Sequence, residues 1–408
     1  MRAISFVVAL AVASICESAT PNLRFAWKQI DYTWNSTVDR ENALKDGSFV
    51  PDNNLPLGLA RWKNKLFITV PRWKNGVVSS LNYIDVDGAQ DQLYKPYPSF
   101  EDNFIGDSTT DLPSNNSIVS VFRVSVDPCD RLWVMDTGLA DISGVGNQVA
   151  GPSIVIFDLN TDRLIHRYFF KVSDMKADSF FANIVVDTDK NSCDNAFAYV
   201  PDLGDYGVVV YSLKQDDSWR VSHHYFYFEP LAGSYNVGGV EFHWTDGVFS
   251  LALSEPKENG YRTVFFHALS STKEFCVSSE LLRNYPQINK NEAFHDFKLL
   301  GDRGERTQSS ASVYDANNTV LFYTQVNRDG IGCWNSNKPY TPENNPLIIS
   351  DPVLYEFPND LKIDSEDNLW ILSDRMPRFI YKSLDPNEVN YRIFSISTAD
   401  AIAGTACQ

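Results

Sequence analysis

The sequence predicts an all-β chain folded as a six-bladed β-propeller, and three observations carry that expectation. The stretch Val124-Ser-Val-Asp127-Pro-Cys129-Asp130-Arg-Leu132-Trp133-Val-Met-Asp136 has a near copy at Leu361-Lys-Ile-Asp364-Ser-Glu-Asp367-Asn-Leu369-Trp370-Ile-Leu-Ser-Asp374. Each reads as an apolar strand ending in Asp, a tight polar turn, and a second strand opening on Leu-Trp. Weaker echoes at residues 58–68, 184–200, 240–251 and 312–323 bring the units to six. Their spacing of roughly 50 to 70 residues is that of four-stranded blades. No helical pattern intervenes, and the abundant Phe, Tyr, Trp and Val favour strands. One such hairpin leaves apolar faces and strand edges bare, which radial stacking into a closed ring removes.

Length alone would suggest two or three domains in 408 residues. The repeat argues instead for a single closed unit over residues 19–408. Residues 1–18 carry Arg2, an apolar run from Ile4 and then small residues, the pattern of a secretory signal peptide cut after Ser18.

Taken in order, the mature chain opens on a strand-like run at residues 25–32, followed by a short helix at 38–45 capped by Gly47. Asn75-Gly76 marks a hairpin turn before a strand at 79–84. The apolar run at 154–158 reads as a central blade strand turned by residues 160–162, and residues 208–211 repeat it in the third unit. His223-His224 falls in an aromatic stretch read as strand. Two longer irregular insertions are expected at 98–117 and 328–350, and long loops on rigid scaffolds tend to carry binding residues.

Removing Cys16 with the leader leaves Cys129, Cys193, Cys276, Cys333 and Cys407. Cys129 and Cys193 each precede an Asp in the turns of consecutive units, so they should meet at one end of neighbouring blades. Cys407 would then join Cys333 and pin the tail, leaving Cys276 as a buried free thiol. Sequons at Asn35, Asn115 and Asn317 fit an extracellular glycoprotein.

The net charge of −17 argues against nucleic acid or an anionic membrane as partner, since both need basic patches. No zincin, nucleophile-elbow, P-loop or dinucleotide-binding motif is present, and the cysteine spacings do not fit zinc. The run Asp187-Thr-Asp189-Lys-Asn191 starts like a calcium loop but has Ala198 where the closing Glu would stand, so it reads as a blade turn. No metal or cofactor is expected, and the domain reads as a monomer. Among six histidines, His295 is the candidate general base.

Taken together, Thr69-Val-Pro-Arg-Trp73, Ser80-Leu-Asn-Tyr-Ile84, the Val126–Gly138 stretch, Tyr235-Asn-Val-Gly-Gly239, Phe294-His-Asp-Phe297, Ile331-Gly-Cys-Trp334, Leu372-Ser-Asp-Arg-Met-Pro377 and the tail Ile402-Ala-Gly-Thr-Ala-Cys407 resemble the insect Yellow and major royal jelly protein family, the Yellow branch above all. The resemblance implies a six-bladed propeller with two disulfides and a role in melanin-based cuticle pigmentation. It implies two activities: conversion of dopachrome to a dihydroxyindole, or non-catalytic capture of a small aromatic amine. Ligand contacts would come from Asn359, Asp374 and Met376, the last two standing where amine binders carry Asn and an aromatic residue. A structural cuticle component is the third expectation. The partner in either small-molecule reading is an aromatic amine or a catechol-derived quinone.

Overall fold

The computed structural model describes residues 20–105 and 116–408; the leader, its cut and the Asn115 sequon lie outside the described residues. Six four-stranded antiparallel sheets form the body. Their inner strands are Leu59–Trp62, Val121–Val126, Val185–Asp187, Val248–Leu253, Ser312–Asp315 and Pro358–Ile363. Each lies beside the next, and the last lies beside the first, which closes a six-bladed propeller. Among the described residues no helix is long and apolar enough to cross a membrane.

The second strand of blade 2, Arg131–Asp136, shows why one blade requires its neighbours. It is buried at every position. Leu132 and Val134 enter the seam with blade 1, while Trp133 and Met135 enter the seam with blade 3. The two-residue period of a strand sends alternate side chains to opposite faces, so both faces must be apolar. Each large side chain so buried contributes about 1.5–3 kcal/mol. The core is therefore a set of seams between blades rather than one central mass.

The recurring Asp is explained by what its carboxylate accepts. Asp127 takes the backbone N–H groups of Cys129 and Arg131 on one oxygen and the Trp133 indole N–H at 2.8 Å on the other. Asp364 does the same with Glu366, Asn368 and the Trp370 indole at 2.7 Å. In blade 3 the Tyr199 hydroxyl replaces the indole on Asp187. One side chain thus closes the turn and fixes the aromatic residue of the following strand.

Asn22–Trp27, shorter than the run read from sequence, forms the outer strand of blade 6 by pairing with Tyr391–Ser397. The helix Thr37–Asp46 starts on a Ser36 cap and stops at Gly47, whose φ is +80°. Cys129–Cys193 joins the turns of blades 2 and 3, and Cys333–Cys407 fastens the tail to blade 5, with Cα separations of 5.9 and 6.1 Å. Cys276 is half-buried and unbridged, and burial pushes its thiol up to about 11. Asn35 and Asn317 are exposed.

Four local expectations are corrected. The fourth repeat is out of register: Val240–His243 pairs with Ser234–Val237 in a separate hairpin, and Val248–Leu253 is an inner strand whose partner is Thr263–Ala268. Gly238 and Gly239, at φ +57° and +74°, make the two-residue turn that claims the Val240 segment first. Residues 328–350 are no insertion, because they hold the third and outer strands of blade 5, Gly330–Asn335 and Leu347–Ser350. There a Cβ on Gly330 would come within 2.2 Å of the Ile349 carbonyl, so that glycine serves close strand packing. The strand before His223 ends at Ser222, and residues 224–226 form a 3₁₀ turn. Asn75-Gly76 lies in a longer connection between Lys65–Thr69 and Leu81–Asp85 rather than in a two-residue hairpin.

Candidate functional site

The axial channel is divided at its waist. Arg123, fully buried on the inner strand of blade 2, donates to the carbonyls of Ser310 at 2.7 Å and Asn359 at 2.5 Å and covers the Phe249 ring at 4.3 Å. Its charge is balanced by Asp360, 3.7 Å away and equally buried. This crossbar leaves one cavity above and another below.

The upper cavity has a volume of about 530 Å³, the size of a small-molecule site. Each blade supplies one floor residue at or just before its inner strand: Leu57, Phe122, Ala182, Phe249, Ser310 and Asn359. Aromatic residues build the walls. Trp73, Phe122 and Phe180 pack edge to face on one side, with centroids 5.3 and 5.0 Å apart. Phe357, Trp244 and Tyr381 close the other, where the Trp244 indole donates to the Tyr381 hydroxyl at 2.7 Å. Trp244 directly follows the extra hairpin after blade 3, Tyr381 ends the helix Met376–Tyr381, and Trp73, Phe180 and Phe357 come from connections between strands.

Among the described residues lining this cavity there is no Lys, Arg or His, and one carboxylate, Asp246. No described residue donates a hydrogen bond to that carboxylate, and burial raises it to about 6. It is a half-buried carboxylate without a protein donor among the described residues, in a lining of aromatic residues.

The structure places the expected residues differently from one another. Asn359 and Met376 line the cavity. Asp374 stands behind them rather than at the mouth, fully buried, with one oxygen taking the Asn359 amide at 2.6 Å and the other the Met376 N–H at 3.1 Å. Burial pushes its carboxyl far above the usual carboxylate range, against the opposing hydrogen bonds from Asn359 and Met376 and the charge of Arg123. It orients Asn359 from outside the cavity lining. His295 is not brought to the cavity at all. It is exposed on the 3₁₀ turn Phe294–Asp296 beside the outer strand of blade 4, its carbonyl accepting from Lys298.

In sequence, Asp246-Gly247 looks like one more repeat turn, which hides Asp246 as a site residue. The signal that would have found it is Val237-Gly238-Gly239-Val240, a two-residue hairpin connection. That connection frees Trp244 and Asp246 to lean over the channel.

The major royal jelly protein family model matches residues 119–407. Yellow proteins are similar over nearly the whole chain. That of Drosophila yakuba is 39% identical over 94% of this chain and 70% of its own length. Those of Drosophila guanche and Drosophila melanogaster are each 38% identical, over 98% and 94% of this chain and 70% of their own lengths. Among solved structures, the PQQ-bound aldose sugar dehydrogenase of Streptomyces coelicolor aligns over 84% of this chain and 93% of its own, with a TM-score of 0.45 and 11% identity, and carries no functional weight.

Proposed function

Since this chain belongs to the major royal jelly protein family and matches yellow proteins along most of its length, we propose that it acts in melanin-type pigmentation as a secreted protein. Its upper cavity is the small-molecule site. Two disulfides in the described chain support the secreted reading, since such bridges persist in oxidising compartments.

The observation that carries the ligand class is the lone Asp246 carboxylate, without a protein donor among the described residues, within aromatic walls. A protonated catecholamine or indoleamine answers both features. Its ammonium pairs with the carboxylate in a charge-assisted hydrogen bond, and its ring stacks between Trp73 and Trp244. Asn359, fixed by Asp374, presents a polar edge on the floor. Calorimetric titration of the purified protein with dopamine and serotonin tests this. Binding at micromolar concentrations that is lost in Asp246→Asn supports it, and heat-silent titrations remove it.

A second reading is favoured by one specific observation, that Asp246 is raised to about 6, where a carboxylate serves well as a general base near neutral pH. In that reading Asp246 takes one acidic ring proton of dopachrome and returns it to one quinone oxygen, giving a quinone methide. Transfer of a second ring proton to the other oxygen completes the isomerisation to a dihydroxyindole carboxylic acid without any co-reactant. The rate of loss of dopachrome's visible absorbance decides it. No acceleration over buffer, or equal acceleration by Asp246→Asn, ends this reading and leaves amine capture standing.

A further inference from the structure

The cavity below the waist differs from the upper one in charge. It encloses about 580 Å³ and opens at the end of the propeller where the Asp turns lie. Its walls come from the lower halves of the inner strands, where Val186, Leu253, Val313 and Ile363 are only partly buried in the blade seams and leave apolar surface at the cavity. Its inner end is cationic: Lys362 and Arg123 both line it.

At that inner end two cations share one carboxylate. The Lys362 ammonium lies 2.9 Å from one oxygen of Asp360, and Arg123 Nε lies 3.7 Å from the same oxygen without a hydrogen-bond partner. Asp360 has little left to offer, because the backbone N–H of Leu361 also binds that oxygen and that of Leu59 takes the other. Lys362 uses one of its three donors on Asp360, and its side chain is 22% exposed into the cavity. Burial lowers its ammonium, the charge on Asp360 opposing and that on Arg123 adding. The acids of the rim are engaged elsewhere: Asp127 with Arg131 and Trp133, Asp130 with Trp62, and Asp364 with Arg61 and Trp370. Lys63 and Lys190 complete a locally basic mouth on an otherwise strongly acidic protein.

We propose that this lower cavity is a second ligand site, taking a small organic carboxylate with its anionic head on Lys362, backed by the buried charge of Arg123, and its apolar body against the inner strands. The assignment does not rest on the upper cavity or its ligand. The two ends of one channel would then select opposite charges, a cation above against Asp246 and an anion below against Lys362.

The test uses the full secreted chain, with indole-2-carboxylate as probe, followed by calorimetry and by ligand-observed NMR. Indole and tryptamine serve as controls lacking the negative charge, and inorganic phosphate as one lacking the apolar body. The expected result is binding of indole-2-carboxylate that weakens about tenfold or more in Lys362→Met, as loss of a charge-assisted contact implies. It should survive in Lys362→Arg and be unaffected by Asp246→Asn. Since Lys362→Met leaves Asp360 less well paired, Val313→Trp provides a second variant that fills the cavity and keeps every charge. It should abolish binding while the thermal transition is retained. Absence of binding in the parent, equal binding of indole, or loss on Asp246→Asn with no effect of Lys362→Met or Val313→Trp overturns the proposal. Binding of phosphate as tight as that of the carboxylate overturns the apolar part of it.

Discussion

At the scale of single residues, the Asp246 carboxyl lies above its ordinary value because burial disfavours its charge. The folded value exceeds the unfolded one, so the group's cost to stability grows as pH rises from about 4 and is complete above about 6. Asp246→Asn removes that cost. It should stabilise the protein by about 1 kcal/mol at neutral pH, the burial being partial, and by nothing at pH 4. Paired thermal melts at the two pH values check this. Ligand binding should move the opposite way. Amine affinity is full above about pH 6 and falls as pH drops through that value, since the neutral acid cannot pair with an ammonium. Nearby Tyr206 and Tyr235 feel the same charge but are raised, mainly by burial, away from this range. A group that weakens the fold and strengthens binding is what a site residue should look like. His295, by contrast, was a choice made from residue type, and an exposed turn at the rim of blade 4 gives it nothing to act on.

Among elements, the inner hairpin is where sequence and structure agree most closely. The repeats of blades 2 and 6 were the most legible because one carboxylate, two turn N–H groups and one aromatic donor recur in them at fixed spacing, and blade 3 keeps the pair with Tyr199 in place of the indole. Trp370→Phe deletes only the indole donor and some buried area, and should cost about 1–2 kcal/mol. Asp364→Ala strips the turn, the indole and Arg61 of their shared acceptor and should cost about 2–4 kcal/mol. Chemical denaturation of both variants checks the order, and reversal of it would show that the motif is packing rather than polar closure. The fourth repeat and the blade 5 strands were not legible for a related reason. Neither carries the full Asp–aromatic pair, and glycines that look like loop punctuation serve a hairpin in one case and strand contact in the other. The cavity walls were hidden too, because Trp73, Trp244 and Tyr381 come from connections whose convergence only the closed ring creates.

For the whole molecule, stability is held in the seams between blades, so it depends on closure. Cys333→Ala with Cys407→Ala frees the tail and should cost about 2–5 kcal/mol. Removing residues 20–27 takes the outer strand from blade 6 and should replace one sharp calorimetric transition by a broad one at lower temperature. The strand Asn22–Trp27 is made long before its partner Tyr391–Ser397, and its backbone edge is paired only once they meet. During synthesis this segment must therefore wait, sticky and unclaimed, until nearly the entire chain has emerged. A ribosome that stalls late releases a crescent with two raw edges, so the last few dozen codons decide whether everything before them is worth keeping.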